Sequence, residues 1–132
     1  MAVGSVAPKI RVPEGEVREH DVLAAVDLGS NSFRLQVGRV VEDQIYPLDS
    51  LREAVRLAAG LTPDKLIDEA AQQRGLNALK RFGERLRGFP ADSVRAVGTN
   101  TLRVAKNARD FLRRAEQALG FPIDVVAGKE EA

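Results

Sequence analysis

Cysteine is absent from the 132 residues and histidine occurs once. No disulfide framework, thiolate nucleophile or thiolate metal site is open to the chain, and a polyhistidine zinc site within it is excluded. What remains for a metal is carboxylates and other oxygens, a set that suits Mg²⁺. An excess of one charge is missing too. Twenty Lys and Arg face nineteen Asp and Glu for a net of +1, which gives no general case for nucleic-acid binding and leaves only a local basic patch. No apolar run approaches the length of a membrane span, and the first residues lack the apolar core of a secretory signal. A cytoplasmic protein without membrane or nucleic-acid partners is the expectation. Internal repeats and low-complexity tracts are also lacking.

Apolar residues make up 44% and charged residues 30%, the balance of a soluble globular domain. The length allows one domain with a real core, yet is small for an enzyme with a two-sided cleft. Residues 1–21, with Gly4, Pro8, Pro13 and Gly15 among unpatterned charges, predict a flexible N-terminal arm. Its His20 is expected to be a solvated linker residue.

The stretch from Asp27 to Arg34 organises the rest of the chain. It reads Asp, Leu, Gly, Ser, Asn, Ser, Phe, Arg between two apolar, β-branched runs, which predicts a strand over Val22–Leu28, a tight turn and a second strand over Ser32–Val41. Gly29 lets a backbone approach an anion, converging turn N–H groups make an anion-binding concavity, and Ser30, Asn31 and Ser32 add donors. Asp27 at the strand end is placed to hold a metal ion or its waters. The same letters also build an ordinary turn, and both readings stand at this point.

Glu42 and Asp43 predict a second turn, and Gln44–Leu51 a third strand whose Pro47 fits an edge. The segment Arg52–Leu61 is undecided between strand and loop. A helix starts between Thr62 and Asp68 and carries Ile67, Ala71, Gly75, Ala78, Leu79, Phe82 and Leu86 on one face, with Gln72, Gln73, Arg74, Lys80, Arg81, Glu84 and Arg85 on the others. The basic residues of its second half either attract an anion or form a solvated face. Ser93–Gly98 predicts a buried strand running into the hydroxyl-rich Thr99–Thr101, where open α/β sheets gather ligands. Arg103 beyond it is a phosphate clamp or a salt-bridged helix residue. Asn107 is expected to cap a helix that ends at Gly120 and Pro122, and Ile123–Val126 to form the last strand.

The resulting order, βββαβαβ, predicts an α/β fold with a mixed five-stranded sheet, the ribonuclease-H-like half of an actin-type domain. The Asp27 turn resembles the first phosphate loop of the actin-like superfamily. Taken with Gly98, Thr99, Asn100, Thr101, Leu102, Arg103 and with the closing Gly128, Lys129, Glu130, Glu131, Ala132, it makes residues 22–132 resemble the N-terminal portion of the exopolyphosphatase and guanosine pentaphosphate phosphatase family.

That resemblance implies an enzyme that splits terminal phosphate from inorganic polyphosphate, or from guanosine pentaphosphate, with Mg²⁺ and a water. It implies Glu131 as general base, Asp27 as the metal-associated carboxylate, and Gly29, Ser30, Asn31 and Ser32 as the phosphate loop. Arg34 and Arg103 are added as phosphate-binding candidates, and a homodimer is expected of the full-length enzyme. Two adjacent glutamates ahead of a helix are also ordinary partners of its dipole. The second phosphate loop of the family is expected after Ala132, so the chain is expected to be a truncated portion with little activity alone. A non-enzymatic binding or dimerisation module is the alternative.

Overall fold

The computed structural model describes residues 21–126. Strand β1 (Val22–Leu28) buries Ala24, Val26 and Leu28 and exposes Leu23, Ala25 and Asp27. This period of two arises from the pleat, which sends successive side chains to opposite faces. Strand β2 (Phe33–Val41) buries Phe33, Leu35 and Val37 in the same way. Glu42 and Asp43 connect it to β3 (Gln44–Glu53), both with positive φ (50° and 68°), the two-residue loop whose twist matches that of paired strands.

Pro47 lies in β3 beside a register shift between Val37 and Gly38, and β3 is an edge of the sheet. Both facts accommodate a residue without an N–H to give to a ladder. The bulge has a consequence at the far end of the hairpin. An unbulged ladder from the Glu42–Asp43 turn would set Leu51 opposite Arg34; here Leu51 faces Leu35 and Arg52 faces Arg34. The strand also runs two residues beyond Leu51, which resolves part of the undecided segment; the rest is loop and a single 3-10 turn, Ala58–Gly60.

Helix α1 (Glu69–Arg85) starts at Asp68, whose Oδ1 accepts the Ala71 N–H at 2.8 Å. It buries Ala71, Gly75, Leu76, Ala78, Leu79 and Phe82. Gln72, expected on a solvent face, is buried instead: its amide donates to the Ile67 carbonyl at 3.0 Å and accepts from Arg114 at 2.8 Å. Strand β4 (Val94–Gly98), a one-turn helix α2 (Asn100–Val104), helix α3 (Ala108–Leu119) and the short β5 (Asp124–Val125) complete the chain. Asn107 precedes α3 but its side chain does not cap it. Its amide instead pairs with the Ile67 backbone, accepting at 2.9 Å and donating at 3.1 Å, so it ties the start of α3 to the approach of α1. Gly120, at φ 93°, ends α3 in the left-handed conformation.

The sheet order is β3-β2-β1-β4-β5, with β1 antiparallel to β2 and parallel to β4, and β4 parallel to β5. Helices α1 and α3 pack together on one face over a core that includes the fully buried Phe33, Phe82 and Phe111. Each such burial stabilises by about 2–3 kcal/mol. Phe33 and Phe111 meet at Gly75, where an added Cβ would lie 3.3 Å and 3.1 Å from their rings. Arg81 clamps this face to β3 through a bidentate pair with Glu53, both contacts 2.8 Å, and Arg85 pairs with Asp49. The hydrogen bonds from Arg81 hold the Glu53 carboxyl below its ordinary value. No helix among the described residues is long and apolar enough to cross a membrane.

Candidate functional site

The turn between β1 and β2 is closed on itself. Gly29 donates its N–H to the Ser32 carbonyl at 3.1 Å, and an added Cβ on Gly29 would sit 3.0 Å from that oxygen. The glycine therefore serves the turn, and its N–H is not free for an anion. Two carbonyls of the turn are also engaged: Ser30 accepts from the Ala58 N–H at 3.0 Å and Asn31 from the Arg56 N–H at 2.8 Å. With its carbonyls drawn towards residues 54–60, the turn leaves the N–H groups of Ser30 and Asn31 without an acceptor among the described residues. Phe33, anchored in the core, fixes the turn's exit.

The hydroxyl-rich stretch meets this turn. Ser30 Oγ and Thr101 Oγ1 share a hydrogen bond of 2.8 Å, and the Thr99 N–H reaches the Leu28 carbonyl at 3.4 Å. The parallel pairing of β1 with β4 brings both carboxyl ends to one edge of the sheet, the place where ligands of α/β sheets collect. Thr101 is 5% exposed, so its hydroxyl is held by Ser30 and not by bulk water.

On the sheet face away from α1 and α3, one cross-strand row runs from Val97 through Asp27 and Arg34 to Arg52. Directly opposed residues have Cβ atoms about 5 Å apart. Asp27, Arg34 and Arg52 are all exposed. No ion pair joins Asp27 to Arg34 among the described residues, so the carboxylate and the guanidinium are not spent on each other. Arg52 donates through Nε to Ser32 Oγ at 3.4 Å.

The structure thus gathers Asp27, Ser30, Asn31, Ser32 and Arg34 at one edge, with Thr101. Arg103 is exposed in the last turn of α2 and forms no ion pair among the described residues. Glu131, like Gly128, Lys129 and His20, lies outside the described residues. Arg52 and Arg56 were missed by sequence reasoning. Finding Arg52 required knowing the bulge at Pro47, and Arg56 sits in the segment that local patterns left undecided. Its φ of +54° puts a non-glycine residue in the left-handed region. The contacts that hold it there are its own N–H to Asn31 and its carbonyl accepting from Arg74 Nη2 at 3.2 Å.

A hollow of about 380 Å³ opens beside the turn, lined by Asn31, Ser32, Arg52, Ala54, Arg56 and Ala59. A larger one of about 710 Å³ lies towards the opposite end of the uncovered sheet face, where Leu23, Ala25, Val40, Ile45 and Pro47 make it mainly apolar, and it contains none of the predicted site residues. Among the described residues no three His, Cys, Asp or Glu gather as a metal cluster.

Comparison with known proteins bears on the family and the fold. A model of the Ppx/GppA phosphatase family matches residues 36–132. A Haemophilus influenzae protein that carries exopolyphosphatase in its name is 46% identical over 118 residues, which are 89% of this chain and 36% of that one. The guanosine-5'-triphosphate,3'-diphosphate pyrophosphatase of Vibrio cholerae is 48% identical over 109 residues, 83% of this chain and 22% of its own. The crystal structure of an exopolyphosphatase from Cytophaga hutchinsonii superposes with a TM-score of 0.76 at 29% identity, covering 83% of this chain and 35% of the other. The chain therefore spans roughly a third or less of the relatives it matches.

Proposed function

Because the chain belongs to the Ppx/GppA phosphatase family and has its ribonuclease-H-like, actin-type fold, we propose that it is the phosphate-receiving part of a phosphoanhydride hydrolase. In this reading the full-length enzyme releases terminal orthophosphate from inorganic polyphosphate. The observation that carries it is the Ser30–Thr101 bond, which joins the two phosphate-type stretches at the edge where Asp27 and Arg34 stand.

Splitting a phosphoanhydride requires an in-line water, a base for its proton, and donors that spread charge over the transferred group. The Ser30 and Asn31 N–H groups are placed to receive oxygens of the terminal phosphoryl, and Arg34 to spread the developing charge. Glu131 takes the water's proton in this proposal, a role that rests on the family resemblance. Asp27, an exposed carboxylate unpaired with Arg34, fits a hard cation such as Mg²⁺, which takes one or two carboxylates and fills its shell with water and phosphate oxygens. Bound there, Mg²⁺ supplies screening of the phosphate charge. The full-length enzyme is proposed to act in the cytoplasm as a homodimer, and the 132-residue chain alone to hydrolyse little or nothing.

Orthophosphate release from long-chain polyphosphate by the full-length protein tests the reading. Mg²⁺-dependent release that Glu131→Gln abolishes is expected; release unaffected by both would end it. A guanosine pentaphosphate substrate is the second reading, favoured by the name and 48% identity of the Vibrio cholerae relative. Relative kcat/KM on the two substrates separates them.

A further inference from the structure

Arg74 uses its charge differently from the other arginines of the two long helices that the structure engages. Arg81, Arg85, Arg113 and Arg114 each pair with an acid, whereas Arg74, on α1, forms no ion pair among the described residues and gives its guanidinium to the main chain. Its Nε donates to the Val55 carbonyl at 2.7 Å and its Nη2 to the Arg56 carbonyl at 3.2 Å. A rigid fork on two successive carbonyls fixes the orientation of a segment, which a flexible ammonium does less well. This segment needs such a hold. Val55 and Leu57 are buried on either side of Arg56, and Arg56 itself has the left-handed φ of +54°, which a residue with a Cβ keeps only where its surroundings impose it.

The held segment in turn shapes the bend between β1 and β2. The Val55 carbonyl and the Arg56 N–H belong to one planar peptide unit and point opposite ways, so the unit that accepts from Arg74 on one side donates to the Asn31 carbonyl on the other, at 2.8 Å. The Asn31 carbonyl shares its own peptide unit with the Ser32 N–H. A single file of hydrogen bonds therefore runs from the guanidinium through two peptide units to Ser32. Beside it, the Ala58 N–H holds the Ser30 carbonyl at 3.0 Å, whose peptide unit carries the Asn31 N–H. The N–H groups of Asn31 and Ser32, where the two paths end, have no acceptor among the described residues. Bonds in such a file polarise one another, and a cation at its head makes the N–H at its tail a stronger donor. We propose that Arg74 is a positioning residue of the phosphate turn: without touching the ligand, it aims the Asn31 and Ser32 N–H groups at an incoming phosphoryl group and strengthens them as donors. This rests on the proposed phosphate-receiving role of the turn.

Amide NMR of the isotope-labelled 132-residue chain tests it, with inorganic phosphate titrated at constant ionic strength into the parent, Arg74→Met, Arg74→Lys and, as a control for lost charge, Arg85→Met. In the parent, phosphate is expected to move the Asn31 and Ser32 signals. Arg74→Met keeps the apolar stem and loses every donor, and it should weaken phosphate about tenfold, the scale of one charge-assisted contact. Arg74→Lys should recover part of this, to within about threefold of the parent, and Arg85→Met should stay within about twofold. Hydrogen exchange on the same samples separates release of the segment from general loosening. The Arg56 and Ala58 amides are expected to exchange about tenfold faster in Arg74→Met, while those of Phe111 and Ala115 in α3 keep the parental rate. Faster exchange everywhere, equal weakening in Arg85→Met, or parental phosphate affinity in Arg74→Met would overturn the proposal and leave the turn's role intact. Should the methionine variant not fold, Arg74→Gln takes its place, with a loss of at least about threefold expected and parental affinity overturning. Parent signals that phosphate does not move would end the turn's role, and the proposal with it.

Discussion

Thr101 carries the side-chain hydrogen bond that joins the turn to the β4 end of the site. Replacing it by valine keeps the shape, removes the hydroxyl, and leaves Ser30 Oγ partly buried without its partner. A loss of about 1 kcal/mol in urea unfolding is expected, with Thr101→Ser close to the parent; equal stability of the valine variant would show that the bond contributes nothing. Arg56 calls for the opposite outcome. Glycine there removes the left-handed strain but loosens the unfolded chain, and the two effects leave a net gain of about 0.5 kcal/mol in the same experiment. Neither residue was assigned a role from the sequence. Thr101 was visible as part of a hydroxyl-rich stretch, yet its partner is 71 positions away; Arg56 has no periodic neighbour to reveal its conformation.

At the level of strands and helices, the clamp between β3 and α1 responds to acid. Hydrogen bonding by Arg81 lowers the Glu53 carboxyl from its ordinary value. A depressed carboxyl contributes stability above the unfolded range and loses it as pH falls through the lowered native value. Glu53→Gln is therefore expected to have a lower urea midpoint than the parent at pH 7, the two converging as pH falls through the lowered native value. A gap that persists in acid would assign the effect to packing. Helix contact is tighter still at Gly83, where an added Cβ would stand 2.7 Å from the Leu119 carbonyl oxygen and 3.0 Å from that of Ala118. Backbone atoms cannot swing aside, so Gly83→Ala should destabilise by about 1–3 kcal/mol in thermal melts. The helices themselves were legible because Ala71, Gly75, Ala78, Leu79 and Phe82 recur at helical spacing. Gln72 and Asn107 were misplaced because their partners, Arg114 and Ile67, are remote in sequence, and no local pattern announces a distant amide.

Across the molecule, the order of elements was readable since each announces its own period, and the parallel placement of β4 beside β1 is what a helical crossover produces. The candidate site was readable by halves. The turn and the hydroxyl-rich stretch carry local signatures, whereas the row Asp27–Arg34–Arg52 depends on a one-residue shift in a neighbouring strand. A one-position change in register turns a side chain to the other face, and that is why Arg52 escaped notice while Arg34 did not.

The bond between Ser30 and Thr101 also has a temporal meaning. On the ribosome, residues 22–53 emerge well before Thr101 and hold everything their hairpin needs, whereas the second wall of the site is still being translated. Nascent chains arrested before Thr101 clears the exit tunnel would display a pairing-competent ribbon whose Ser30 hydroxyl still lacks its partner, so closure of that bond marks the moment at which the two walls can first meet.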